Sequence, residues 1–156
     1  MNLILTIVTL IQLQLIGTAE LRTQQNIWER IDQKAAELRN GRTEYSELKH
    51  INPGFSEFYK RFITDSTFQQ ERVNEGVLAA IGLCESTKIL TPENWELITY
   101  HYKEDFDDPR YEHLIISDEN AFYLRSTLTE IGVISQIGFE RIEGGWQITL
   151  YMVNAC

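Results

Sequence analysis

Ile131-Gly-Val-Ile-Ser-Gln-Ile-Gly-Phe-Glu-Arg-Ile-Glu-Gly-Gly-Trp-Gln-Ile-Thr-Leu-Tyr-Met152 is the stretch on which the fold turns. Ile131, Val133, Ile137 and Phe139 occupy alternate positions, as do Trp146, Ile148, Leu150 and Met152. A period of two belongs to strands that bury one face. Glu143-Gly144-Gly145 between the two runs carries the residue types of a tight hairpin turn. The C-terminal third is therefore read as antiparallel sheet, with Phe139 and Trp146 on its buried side.

Upstream, His113 to Ile116 reads as a short strand, and Ser117 to Arg125 as a bend or brief helix. Trp95 to Tyr102 reads as another strand. Trp95, Leu97, Thr99 and His101 would then share one face, and Glu96, Ile98, Tyr100 and Tyr102 the other. Val77 to Leu83 is apolar with Gly76 and Gly82 at its margins, which favours strand over helix. Helical spacing dominates before it. Asn52-Pro53 starts a helix by pairing a side-chain cap with a proline at the first position. Phe55, Phe58, Tyr59, Phe62 and Ile63 then follow at steps that define one core face. A short helix is expected over Ser66 to Arg72. Ile27, Trp28, Ile31, Ala35 and Leu38 mark an earlier amphipathic helix ending at Asn40-Gly41. Helices first and an antiparallel meander after them give an α+β class, with the helices covering one face of a curved sheet.

The chain has 156 residues, enough for one domain and too few for two of ordinary size. Its hydrophobic fraction of 43% and aromatic fraction of 11% supply a core. A net charge of -9 opposes binding to phosphate backbones, and the basic pairs Lys60-Arg61 and Arg39 with Arg42 are isolated, so nucleic acid is excluded as a partner. Leu3 to Ile16 is apolar and uncharged, shorter than a bilayer span and of the length of a signal-peptide core. Gly17-Thr18-Ala19 offers small residues for cleavage after Ala19. The expected organisation is a signal peptide over 1–19, a helix and connector over 20–51, and the main domain over 52–156. The mature protein would be periplasmic or extracellular, without a transmembrane anchor. In that compartment Cys84 and Cys156 either form one disulfide, worth ~4 kcal/mol by loop closure, or remain a buried small hydrophobe and a terminal thiol.

Chemistry-bearing patterns are sparse. Glu104, Asp105, Asp107 and Asp108 cluster, but their loop lacks the glycine and alternating spacing of a calcium site. His50, His101 and His113 stand at no metal-ligand spacing, so neither metal nor cofactor is expected. No catalytic residue is assigned. Tyr100-His101-Tyr102 draws attention as a run able to line an interior, and Tyr59 and Tyr111 are added as pocket candidates.

The segment from Phe55 to Val73, the run Pro92-Glu-Asn-Trp95 and the ending Phe139-Glu-Arg-Ile-Glu-Gly-Gly-Trp146 together resemble the domain of unknown function 4348 family of exported bacterial proteins. Phe58, Asp65, Ser66, Phe68, Gln69, Arg72, Trp95, Phe139, Glu140 and Trp146 carry the likeness. The chain departs from the family pattern at Asn74 to Gly76. The resemblance implies a nuclear transport factor 2-like cone over roughly Asn52 to Val153, in which helices are wrapped by a curved sheet. It implies no reaction. Three functional readings follow. The first is a non-catalytic module of the cell envelope that binds a small molecule or an envelope protein. The second is an enzyme using proton transfer in the cone pocket, with His101 as base and Tyr100 or Tyr102 as donor. The third is a structural subunit forming a homodimer through an open sheet face.

Overall fold

A computed structural model describes residues 26–83 and 86–155. The apolar N-terminal run, the expected cleavage point after Ala19 and both cysteines lie outside the described residues, as do the side chains of Glu104 and Asp105. Helix α1 covers 26–39, α2 Pro53–Thr64 and α3 Ser66–Gln70. The strands are β1 Val73–Leu83, β2 Ser86–Leu90, β3 Tyr111–Ser117, β4 Ala121–Leu128, β5 Val133–Ile142 and β6 Gly145–Asn154. They form one six-stranded sheet in the order β2-β1-β6-β5-β4-β3.

Local chemistry accounts for the helices. Asn52 Oδ1 accepts from the backbone N–H groups of Gly54 and Phe55 at 2.9 and 3.3 Å, satisfying donors that the first turn of α2 leaves open. Asp65 caps α3 by accepting from Phe68 N–H at 2.9 Å. The core face of α2 buries Phe55, Tyr59 and Phe62. Phe55 stacks on Phe122 of β4 with ring centroids 3.8 Å apart, and Phe62 meets Phe139 of β5 edge-on at 5.1 Å. Phe139 and Trp146 are buried in this layer, as the alternation predicts.

The opposite sheet face is covered too. Ile27, Ile31, Ala35 and Leu38 of α1 pack against Ala80, Ile116, Ala121, Tyr123, Leu150 and Met152. The protein thus has three layers, with the sheet between α1 and the α2–α3 pair, where the sequence suggested helices on one face. Gly138 makes the close approach possible. A Cβ there would lie 2.6 Å from Leu38 Cδ1 and 3.1 Å from Leu150 Cβ.

The predicted period of two breaks within β6. Ile148 pairs with Phe139, yet Leu150 pairs with the adjacent Gly138, so Thr149 is an extra residue in the strand. Trp146 and Ile148 therefore join the α2 side, while Leu150 and Met152 join the α1 side. The hairpin turn is built by Glu143 and Gly144, both with positive φ (52° and 82°).

Other expectations need correction. The sheet is mixed, because β1 runs parallel to β6, and only β3 to β6 form an antiparallel meander. β1 begins at Val73, earlier than the apolar run, and pairs with β2, which the sequence did not signal. The polar stretch after Ser117 is a tight turn, in which Asp118 Oδ1 accepts from Asn120 and Ala121 N–H at 2.7 Å, followed by β4. Ile131 lies in the turn before β5 and is 63% exposed. Residues 95–101 form no strand. They follow a 3-10 turn at Pro92–Asn94 and lead into another at Tyr102–Asp105. Trp95, Ile98 and Tyr102 are the buried residues of this segment, while Leu97 and Tyr100 stay partly exposed, a pattern that strand alternation does not give.

Candidate functional site

The irregular segment is held by one side chain. Gln69 of α3 is 1% exposed. Its amide nitrogen donates to the carbonyls of Phe62 and Ile98, each at 2.8 Å. Its amide oxygen accepts from Ile98 N–H at 2.7 Å and Trp95 Nε1–H at 3.0 Å. Both backbone groups of Ile98 are therefore satisfied by a side chain, which removes the need for a neighbouring strand. The segment arches over the sheet face that carries α2.

Beneath the arch is a cavity of about 260 Å³. Its floor is sheet: Leu124 and Ser126 of β4, Val133, Ser135 and Ile137 of β5, Tyr151 and Val153 of β6. Its roof and sides are Tyr59 of α2, Ile98, Tyr100 and Tyr102 of the arch, and Tyr111 of β3. Gln136 also borders it, with its side-chain carbonyl accepting from Tyr123 O–H at 2.7 Å. None of these lining residues carries a formal charge.

Two tyrosine hydroxyls are already bonded within the protein. Tyr59 O–H donates to the carbonyl of Tyr100 at 3.0 Å, and Tyr102 Oη pairs with Ser56 Oγ at 3.2 Å. These residues present mainly ring surface. Burial raises the Tyr102 pKa, against a smaller opposing effect of the Ser56 bond, and burial aided by the Glu96 charge raises that of Tyr151. Both phenols are neutral near pH 7.

The polar end of the floor is a pair of serines. Ser126 and Ser135 are direct cross-strand partners. Ser126 is 3% exposed, and its Oγ lies 3.0 Å from His113 Nδ1 on the neighbouring strand β3. The His113 ring is stacked on Phe106 at 3.8 Å and lies parallel to Tyr111 at 6.0 Å. The imidazole is thereby fixed behind the serine.

Of the five pocket candidates, Tyr59, Tyr100, Tyr102 and Tyr111 line this cavity. His101 does not. It sits half-exposed in the arch, edge-on to Tyr59, and its Nδ1 accepts from Lys103 N–H at 3.2 Å. The reason is the arch itself: without strand alternation, His101 no longer shares an inward face with Trp95. Ser126, Ser135 and Tyr151 were not singled out from sequence, His113 was weighed there only as a metal ligand, and Gln69 entered only as a residue carrying the family likeness. The register between β3, β4 and β5 brings Ser126 to His113 and Ser135, and no short motif records that register.

Elsewhere, Asp108 of the acidic loop is paired with Arg110, with Arg110 Nη2 2.6 Å from Asp108 Oδ2. The bonds from Arg110 hold the Asp108 pKa down at about 2. Among the described residues no group of three or more His, Cys, Asp or Glu side chains is arranged to hold a metal ion, and no helix is long and apolar enough to cross a membrane.

No protein-family model matches the chain, and no curated protein matches it. Among solved structures, the chain is similar to a de novo designed protein with a curved beta-sheet, at 14% identity and a TM-score of 0.36, over 65% of this chain and 95% of that one.

Proposed function

We propose that this chain is an exported, non-catalytic ligand-binding module of nuclear transport factor 2-like architecture, related to the domain of unknown function 4348 family. The observation that carries the binding reading is the cavity under the arch, whose described lining residues are uncharged, apolar and aromatic with a few hydroxyls, the usual composition of a small-molecule site. The proton-transfer reading needed His101 facing such a space beside a tyrosine donor, and the lining contains the tyrosines without it. The dimer reading needed an open sheet face, and α1 covers the face that α2 leaves. Export rests on the apolar run before Ala19.

Native mass spectrometry of protein purified from the envelope of its own host tests the binding reading. A small molecule should co-purify and be released on denaturation. Val133→Trp, which fills the cavity from the start of β5, should abolish its retention while leaving the fold intact. A ligand-free spectrum for the unaltered protein, or equal retention by the Trp variant, would contradict the proposal. The same spectra report the mature mass, expected to begin at Glu20.

A further inference from the structure

Resting on the ligand-binding reading above, the geometry points to a ligand class: we infer that the cavity takes an uncharged, ring-bearing molecule whose hydroxyl is received by Ser126 and Ser135.

Three observations lead there. The first is that none of the described lining residues carries a formal charge. An ionised group placed on this floor would lose hydration with no opposite charge among the described lining residues to replace it, a cost of several kcal/mol. The second is shape and surface. At about 260 Å³ the space lies just under the ~300–1,000 Å³ typical of sites for drug-sized ligands, which suits one or two fused rings. Tyr59 and Tyr102 offer ring surface above, because their hydroxyls are committed elsewhere. Ile137 and Leu124 offer aliphatic surface below.

The third observation is the serine pair. Ser126 Oγ is tied to His113 Nδ1 at 3.0 Å. If the serine proton points to that nitrogen, its oxygen lone pairs are left for a donor on the ligand. If the imidazole is the donor, the serine proton is left for an acceptor. Ser135 stands opposite on the next strand with a hydroxyl that both donates and accepts. A ligand hydroxyl satisfies either arrangement, since it too is donor and acceptor. An ether or a bare ring satisfies one or neither. His113 acts here as a positioning residue, clamped by Phe106 so that the serine hydroxyl keeps its direction.

The test is a titration of the full mature chain with four probes of one ring system: 2-naphthol, naphthalene, 2-naphthoate and 2-naphthylmethylammonium, followed by calorimetry. The expected order places 2-naphthol tightest, with naphthalene about fivefold to tenfold weaker for want of one hydrogen-bonded group. The two charged probes should be weaker than 2-naphthol by about tenfold or more. Ser126→Ala should narrow the gap between 2-naphthol and naphthalene, and Ser126→Ala combined with Ser135→Ala should bring 2-naphthol down to the affinity of naphthalene and leave naphthalene unchanged. Equal or tighter binding of either ionised probe overturns the inference. So does a protein carrying both Ser126→Ala and Ser135→Ala that keeps the preference for 2-naphthol. The comparison of probes on the unaltered protein decides the matter even if that variant is unstable. Failure of all four probes to bind a folded protein that retains a co-purified ligand refutes this ligand class alone. The same failure with no co-purified ligand refutes the binding reading with it.

Discussion

Replacing Gln69 tests how the arch is held. Gln69→Met keeps length and rough volume but removes both donors and the acceptor. Four partners lose their bonds: the carbonyls of Phe62 and Ile98, the N–H of Ile98 and the indole N–H of Trp95. A buried polar group left unpaired costs about 1–3 kcal/mol, and local opening will let water reach some of the four. With roughly half of them rescued, the loss is about 2–6 kcal/mol, a large share of the ~5–15 kcal/mol that holds a domain together. Urea unfolding followed by tryptophan fluorescence measures it, and Trp95 reports the arch directly. Hydrogen exchange should also show Ile98 N–H losing protection before the strands do. Gln69→Glu sharpens the point. It keeps an acceptor for Trp95 and Ile98 N–H but sets carboxylate oxygens against two carbonyls. Burial raises the pKa of such a group, so the variant should recover stability as pH falls and the acid protonates. A loss below about 1 kcal/mol for Gln69→Met, with Ile98 protection unchanged, would refute the latch.

Gly138→Ala should destabilise by about 1–3 kcal/mol, since the added methyl meets both Leu38 and Leu150 Cβ. An unchanged chemical-denaturation midpoint would contradict the packing of α1 on the sheet. Asp118 is desolvated, which raises its pKa, but the N–H bonds from Asn120 and Ala121 and the Arg42 ion pair outweigh this and lower it. Its folded pKa lies below the unfolded value, so its contribution is present above about pH 4 and disappears as pH falls through the folded value. Asp118→Asn should therefore be less stable than the unaltered protein at pH 7, with a gap that narrows below about pH 4 in thermal melts. A gap independent of pH would contradict the assignment.

Where local rules decide, the sequence was legible. The cap and proline at Asn52-Pro53, the stripe from Ile27 to Leu38, and the Glu143–Gly145 turn each act within a few residues, and each appears where the pattern put it. The failures share a cause in long-range pairing. Trp95 to Tyr102 alternates acceptably for a strand, yet Gln69, distant in sequence, satisfies Ile98 and bends the segment over the sheet. The Thr149 bulge is invisible in an unbroken Trp146-to-Met152 alternation, because it is set by Gly138 and Phe139 across the ladder. That bulge turns Tyr151 toward the cavity and Leu150 toward α1, so the tyrosine could not be found from the period alone. The candidate site was legible to the extent of its tyrosines. Its serines needed the strand register.

The central claim, that the space between the arch and the sheet is a binding site, is tested most directly by a crystal structure of the protein grown with 2-naphthol. The account predicts density for the rings between Tyr59 and Tyr102 above and Ile137 below, with the naphthol oxygen ~2.7–2.8 Å from Ser126 Oγ. A cavity closed by its own side chains, with the probe absent or bound elsewhere on the surface, would contradict it.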